Sequence, residues 1–260
     1  MKHKEDHPVF IETPSKLALL PILKLLQLAD SALPVGANAH SWGLETLVQE
    51  GLITSASVES FLLDYVLECG RLEGRYCGAG YLLDRSPTAA DSWLGRCLSL
   101  HRQLSAFKPS REGRVASATL GRRLLTLALN LEDQADLRSL LQNAEQSGVE
   151  LHYALIFGMV GKLWDCDLTL VIGALLHQML VGALSACQRL LLLGQTQVSQ
   201  ITWRLKIPLS ELAETLTDEC LRTASGGDPC AVPSDLHCFA PQIDLAGMRH
   251  PWLDARMFIS

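Results

Sequence analysis

Aromatic residues are scarce in this sequence: Phe, Trp and Tyr make up only 6% of its 260 residues, whereas Leu and Ala are abundant. Strands favour aromatic and β-branched residues, and Leu and Ala favour helices. The composition therefore argues against a β-sheet protein and predicts packed helices.

The sequence also lacks a dense block of Lys or Arg, and its formal net charge is −6. Proteins that bind nucleic acid carry a basic patch that attracts the phosphate backbone. We therefore expect no nucleic-acid partner.

The common catalytic signatures are absent: the sequence contains no His-Glu-x-x-His, Gly-x-Ser-x-Gly or Gly-x-Gly-x-x-Gly. The nearest approach to a phosphate loop, at Gly158–Leu163, lacks the four-residue spacer and the Ser or Thr that holds magnesium. The pattern of this segment instead predicts part of an apolar helix. These motifs therefore give no support for an enzymatic activity, and we assign no catalytic residue.

Paired metal ligands are missing as well, because the eight cysteines include no Cys-x-x-Cys pair. Structural zinc sites need about four ligands at recognisable spacing. The sequence offers only loose candidates: His3, His7, His40, Cys230 and the dipeptide His237-Cys238. We predict reduced cysteines, most of them small core residues on apolar helical patterns, and neither a metal site nor a cofactor.

What the sequence does contain is a succession of about ten amphipathic helical patterns over residues 15–225, separated by Gly and Pro. No segment patterns as strands, no repeat of fixed period occurs, and no Gly/Ser linker divides the chain. We predict a single-domain all-α helical bundle. Residues 1–14 are too polar for a secretory signal and are expected to form a flexible lead-in to a cytoplasmic protein.

Three local patterns make specific structural predictions. Pro34 and Gly36 interrupt the first helical pattern in a segment that we call the opening loop, residues 30–40, and a helix is predicted over residues 39–50 with Asn38 or Ser41 as its N-cap. Ser86-Pro87 is predicted to begin a later helix. Glycines at intervals of four along one helix side indicate close approach of another helix; they are Gly70, Gly74 and Gly78.

Residues 168–188 contain no charged side chain. This charge-free segment is long enough to cross a membrane, so a membrane span is one possible interpretation. His177 and Gln178 lie at the midpoint, and no positive cluster flanks the segment, so a central bundle helix is the favoured interpretation. Two alternatives remain open: a membrane-associated helical protein, and an all-α metal-dependent enzyme with a buried His/carboxylate site near His177.

The last segment, residues 226–260, is called the C-terminal arm. Its four prolines are predicted to prevent long helices, yet it carries more apolar side chains than a disordered tail. Arg249 and Arg256 lie among Trp, Met and Phe, a composition typical of interface anchors. The arm is therefore predicted to pack irregularly on its own body or on a partner.

Four stretches together resemble the urease accessory protein F (UreF) family. The first joins residues 25–36, LLQLADSALPVG, to residues 40–45, HSWGLE. The second is GRRLL at residues 121–125, and the third is RLLLLGQT at residues 189–196. The fourth is the end of the arm, from Met248 to Ser260, where Pro251-Trp252 replace residues that are polar in the family.

This resemblance implies an all-α, non-enzymatic scaffold that forms a homodimer and takes part in nickel delivery to apo-urease. It implies two further partners, the accessory protein called D or H and the nickel-carrying GTPase called G. The positions expected to bind the D/H partner are Arg249, His250, Arg256 and Phe258. The positions expected on the GTPase-facing or dimer surface are Pro34, Gly36, His40, Glu45 and Gln195.

Overall fold

The computed structural model describes residues 16–83, 92–225 and 236–259. These residues form helices and connecting turns without a strand, which confirms the all-α prediction. The α-helices are α1 Lys16–Ala29, α2 Leu44–Gln49, α3 Val58–Leu82, α4 Trp93–Ala106, α5 Arg111–Leu131, α6 Ala135–Ser147, α7 Tyr153–Leu163, α8 Leu168–Leu191, α9 Gln195–Arg204, α10 Lys206–Ser225 and α11 Pro241–Arg249. Short 3-10 helices lie at Ala37–Ala39 and His250–Trp252.

The core is built around α7 and α8. Helix α7 is buried from Ala154 to Gly161 and packs against α3 and α5. Helix α8 contacts α1, α2, α3, α7 and α10, so its charge-free sequence meets other helices on several sides. Within the described residues α8 is the one helix whose length and hydropathy would suffice to cross a membrane, and half of its most apolar window is buried. Its packing is that of a core helix, as the sequence predicted.

The glycine stripe of α3 allows two helices to approach closely, as predicted. A Cβ at Gly70 would lie 2.8 Å from Leu176 of α8, and a Cβ at Gly74 would lie 2.5 Å from Leu216 of α10. A Cβ at Gly78 would collide with the Cys220 sulfur. On α7, Gly158 lies directly against the Cys77 carbonyl of α3. These contacts leave no room for larger side chains.

Two helix starts differ from the sequence predictions. Helix α2 begins at Leu44 rather than near residue 39, because Trp42 and Gly43 adopt positive φ angles of 56° and 85° that end the preceding turn. Gly43 therefore occupies the N-cap position that Asn38 or Ser41 was expected to fill. Ser86-Pro87 lie outside the described residues, and α4 begins at Trp93, where the Ser92 hydroxyl accepts a hydrogen bond from the Gly95 N–H.

The C-terminal arm is more regular than its prolines suggested. Pro241 stands at the start of α11 instead of preventing a helix, since the first turn requires no N–H from that residue. Helix α11 spans nine residues and continues into the 3-10 turn His250–Trp252. It packs against α2 and α5.

Two buried histidines join α4, α5 and α7. The His101 Nδ1 atom accepts a hydrogen bond of 3.0 Å from the His152 backbone N–H. The His152 ring bonds to the hydroxyls of Ser105 at 2.7 Å and Ser117 at 3.2 Å. Burial lowers the pKa of His101 to about 3, and burial together with the Lys108 charge lowers the pKa of His152 to about 3. Both rings are therefore neutral in the folded protein at pH 7.

These histidines predict a loss of stability in mild acid. In the unfolded chain their pKa is near the ordinary value of about 6.5, so unfolding takes up protons once the pH falls below it. The contribution of these two histidines to the free energy of unfolding is complete above pH 6.5. It declines towards pH 3 by up to about 1.4 kcal/mol per pH unit for each histidine. Urea unfolding at pH 7.5 and 5.0 measures the decline. His101→Asn, which keeps an acceptor but does not titrate, should remove about half of it, and an unchanged decline in this variant would contradict the assignment.

Two glycine substitutions test the packing of α7 on α3. We expect Gly158→Ala to lower the free energy of unfolding by about 3 kcal/mol, because the methyl group meets a backbone carbonyl that cannot rotate away. A methyl group at Gly182 of α8 would meet no neighbouring atom within 4 Å, so this glycine serves as the matched control. Gly182→Ala should raise stability by roughly 0.5–1 kcal/mol through helix propensity. Chemical denaturation distinguishes the two, and similar effects would refute the close contact.

Candidate functional site

A buried carboxylate in the first turn of α2 holds the C-terminal arm. Glu45 is 1% exposed, and its Oε2 atom lies 2.8 Å from Nε2 of His250. The Met257 backbone N–H donates to Oε1 at 2.6 Å, and the Phe258 N–H donates to Oε2 at 3.2 Å. Burying a carboxylate is costly unless donors surround it, and here all three donors come from the arm. We call this arrangement the Glu45 junction.

Further contacts extend the junction along α2. The Thr46 hydroxyl donates to the Ala246 carbonyl at 3.0 Å, and the Gln49 amide donates to the Ala255 carbonyl at 3.1 Å. Arg249 forms an ion pair of 2.8 Å with Glu50 at the surface. The arm is thus bonded to successive positions of one helix, and its register on α2 is defined.

Glycine permits α11 to lie against the start of α2. A Cβ at Gly43 would be 2.9 Å from the Ile243 carbonyl and 3.0 Å from the Gly247 nitrogen. Gly247 in turn faces α5, where its Cβ would be 2.8 Å from the Ser110 hydroxyl. Helix α11 is therefore wedged between α2 and α5 by backbone contact.

Two arginines secure the opening loop next to this junction. Arg123 of α5 donates to the Val35 carbonyl at 3.1 Å and lies against Gly36, whose φ of 83° places it in the left-handed region. Arg189 of α8 donates to the Asn38 carbonyl at 3.1 Å. The same guanidinium lies 4.2 Å from the ring centroid of Phe258, so it contacts both the loop and the arm.

The loop and the arm also meet directly. The Ile259 N–H donates to the Ala39 carbonyl at 2.9 Å, next to His40. His40 is mostly buried, with its ring centroid 5.8 Å from the Trp42 ring. Burial, and secondarily the charge of Arg123, lowers the pKa of His40, which favours the neutral ring. The opening loop, α2 and the end of the arm therefore form one continuous structural unit.

A family model named UreF matches residues 52–206. The chain belongs to the UreF family. It is 31% identical to the urease accessory protein UreF of a Nostoc species over 92% of this chain and 95% of the relative. It is 28% identical to UreF of Actinobacillus pleuropneumoniae over 91% and 97% of the two chains, and 34% identical to UreF of Mycobacterium marinum over 75% and 83%.

These comparisons agree with the sequence predictions at two points. The predicted family membership is confirmed, and the relatives of this UreF chain are named as accessory proteins rather than enzymes, which confirms the predicted non-enzymatic character. The family model covers most of the helical bundle, whereas the opening loop, α2 and the arm lie outside its matched range. The relatives that align over nine tenths of the chain extend beyond that range.

The structure divides the predicted site residues of this chain into two groups. Glu45, His250 and Phe258 are buried in the junction, and His40 and Gly36 lie beside it. The exposed members are Pro34, Gln195, Arg249 and Arg256. The first group binds the chain to itself, so only the second group offers side chains to solvent.

The sequence did not point to the residues that hold the opening loop, α2 and the arm in place. Arg123 and Arg189 were noticed only as parts of motifs, although Arg189 is the first charge after the apolar run of α8. Gly43 and Gly247 carried no signal that paired them, because they are about 200 residues apart. A guanidinium following a charge-free helix segment is the one clue that the sequence supplied.

The candidate metal ligands do not assemble into a site in the part of the chain that the structure describes. No group of three His, Cys, Asp or Glu side chains converges there as a metal ion would require. His177, the centre of the enzyme alternative, is half-buried, and burial together with Lys206 lowers its pKa. His3, His7 and Cys230 lie outside the described residues.

The Glu45 junction predicts a specific effect of a conservative substitution. Glu45→Gln keeps the size of the side chain but replaces one acceptor oxygen with a donor group, so at least one arm donor loses its partner. We expect the arm to open more readily by about 2 kcal/mol, which is roughly a 30-fold faster amide exchange at Met257 and Phe258. Hydrogen exchange measured by NMR or mass spectrometry reports this change.

Glu50→Gln is the matched control, since it removes a carboxylate from the C-terminal end of α2, where Glu50 forms an exposed ion pair with Arg249. Surface pairs contribute less than about 1 kcal/mol, so exchange in the arm should change little. Equal protection of Met257 and Phe258 in the wild type and Glu45→Gln would show that the junction does not hold the arm.

Proposed function

We propose that this chain is a cytoplasmic, non-enzymatic scaffold for urease maturation, which brings a nickel-carrying GTPase to apo-urease. In this proposal the C-terminal arm binds the urease accessory protein called D or H, and the opening loop faces the GTPase called G. Nickel is the cargo of the assembly. Membership of the UreF family and the names of the relatives support this role.

The observation that carries the proposal is the way in which the junction orients the arm. Phe258 and His250 point inward and are 5% and 0% exposed. The opposite side leaves apolar side chains in solvent; they are Leu245, Met248, Trp252, Met257 and Ile259. An exposed apolar patch on a firmly bonded segment is typical of a protein-binding surface.

Trp252 and Arg256 are the principal anchors in this proposal. Trp252 is 85% exposed, and Arg256 is exposed four residues further along the chain. Trp and Arg are enriched among the residues that contribute most to interfaces. Arg249 contributes less, because its guanidinium is already paired with Glu50.

The opening loop supports the GTPase assignment in a different way. Pro34 is exposed at its tip, and Gln195 is exposed at the start of α9. Arg123 and Arg189 bond to the loop carbonyls, so Pro34 is presented on a rigid base. In this proposal Gly36, His40 and Glu45 shape the surface, and Pro34 and Gln195 touch the partner.

The implied homodimer has a surface that suits it. Helix α1 precedes the opening loop and exposes apolar side chains, namely Leu19, Leu20, Ile22, Leu23 and Leu26. A second copy of the chain would remove this stripe from water and leave the arm accessible.

The proposal predicts which substitutions weaken binding of the D/H partner. We expect Trp252→Ala and Arg256→Ala each to lower the affinity at least tenfold without unfolding the chain, because both side chains are exposed and make few internal contacts. Trp203→Ala is the matched control: Trp203 is 71% exposed, but it lies on α9.

Binding is measured by co-purification and by titration with the purified partner. Circular dichroism verifies that each variant is folded. If the Trp252→Ala/Arg256→Ala double variant bound the D/H protein as tightly as the wild type, the arm would not be the binding surface. Arg249→Ala should reduce binding less than either single variant.

A further inference from the structure

A cavity of about 150 Å³ separates the arm from the body of the bundle. Its walls come from α3, α5, α8 and α11, and they are mainly apolar and aromatic, with Tyr65, Phe107 and Met179 among them. Cys69 of α3 and Cys238 of the arm both line this cavity. Two half-buried thiols from segments distant in sequence thus face the same small space.

The arm crosses α3 at these two cysteines. The two thiols lie close enough that each alters the pKa of the other. At the adjacent residues, the Phe239 backbone N–H donates to the Glu68 carboxylate at 3.4 Å. The residues next to the two cysteines in sequence are therefore bonded to each other, and both cysteines line the cavity beside that contact.

The two thiols are chemically unequal. The neighbouring Cys69 side chain lowers the pKa of Cys238, whereas the Cys238 side chain and burial raise the pKa of Cys69. Burial also raises the pKa of Cys77, Cys187 and Cys220 in the core. Because the thiolate is the reactive form, Cys238 is better suited than these core thiols to attack an oxidant.

We propose that Cys69 and Cys238 are a reversible redox pair whose disulfide straps the C-terminal arm to α3. The oxidant is a low-molecular-weight disulfide of the glutathione class. The strap acts on the arm itself and does not depend on which partner the arm binds. In a reducing cytosol the pair is open, and under oxidative conditions it closes.

The reaction proceeds by two thiol–disulfide exchanges. The Cys238 thiolate attacks one sulfur of the small disulfide, forms a mixed disulfide and releases one small thiolate, which takes up a proton. Cys69 then loses its proton and attacks the Cys238 sulfur, which forms the internal disulfide and releases the second small thiolate. The two protein thiols are oxidised by two electrons, and one small disulfide is reduced to two small thiols.

Among the cysteines that the structure describes, Cys69 and Cys238 are the pair that lines this cavity. Cys69 lies within the regular helix α3, while Cys238 lies before α11 in a segment without regular secondary structure. A disulfide needs Cα atoms within about 7 Å, and a segment outside a helix can shift to meet that limit more readily than a second packed helix can. The closed strap would give the arm a second attachment, at Cys238, in addition to the Glu45 junction.

The experiment uses the full-length chain equilibrated with mixtures of reduced and oxidised glutathione. Remaining thiols are alkylated, and the digested protein is analysed by mass spectrometry for linked peptides. We expect a Cys69–Cys238 linkage that is lost in Cys69→Ser and in Cys238→Ser, with Cys77 and Cys187 still reduced. Linkage of either cysteine to Cys230 instead, or only stable glutathione adducts, or reduced thiols throughout, would overturn the proposal.

A second measurement tests the strap itself. Trypsin cleaves after Arg249 and Arg256 when the arm opens, so the cleavage rate reports its release. We expect the oxidised wild type to be cleaved at least tenfold more slowly than the reduced protein, and Cys238→Ser to be cleaved equally fast in both buffers. A disulfide that forms without slowing cleavage would refute the claim that it restrains the arm.

Discussion

The burial of one carboxylate governs the organisation of this end of the molecule. Glu45 lies almost fully out of solvent in the first turn of a six-residue helix, and a short helix cannot satisfy such a side chain by itself. Its three donors arrive from residues more than 200 positions later in the chain. Helix α2 and the C-terminal arm consequently depend on each other. The arm supplies the donors that the buried Glu45 carboxylate needs, and Glu45 supplies the acceptor for those donors.

The junction also determines which side of the arm remains available. His250 and Phe258 are turned inward, whereas Met257 and Ile259 on either side of Phe258 are exposed, as is Trp252 on its 3-10 turn. Arg189 lies over the Phe258 ring and bonds to the opening loop, so the loop and the arm share one support. The two surfaces proposed for different partners are therefore parts of the same rigid unit, which suits a scaffold.

The packing of the helical bundle was easier to predict from the sequence than the Glu45 junction. The spacing of Gly70, Gly74 and Gly78 predicted a close helix contact because that spacing depends only on helical periodicity. The charge-free run of α8 predicted a central helix because a helix that is apolar on all sides is buried among other helices. The start of α2 was predicted wrongly, since Trp42 and Gly43 adopt positive φ angles in a turn that packs against the backbone of α11.

The sequence alone determined the helical class, the position of the main breaks, the family resemblance and the set of residues around which the site is built. These properties are local, because they depend on composition, periodicity and motif spacing. Only the tertiary structure decided that Glu45, His250 and Phe258 hold the arm from within while Arg256 and Trp252 face solvent. Burial and donor pairing arise from contacts between segments far apart in the chain, and no local pattern encodes which of two neighbouring side chains will point into the junction.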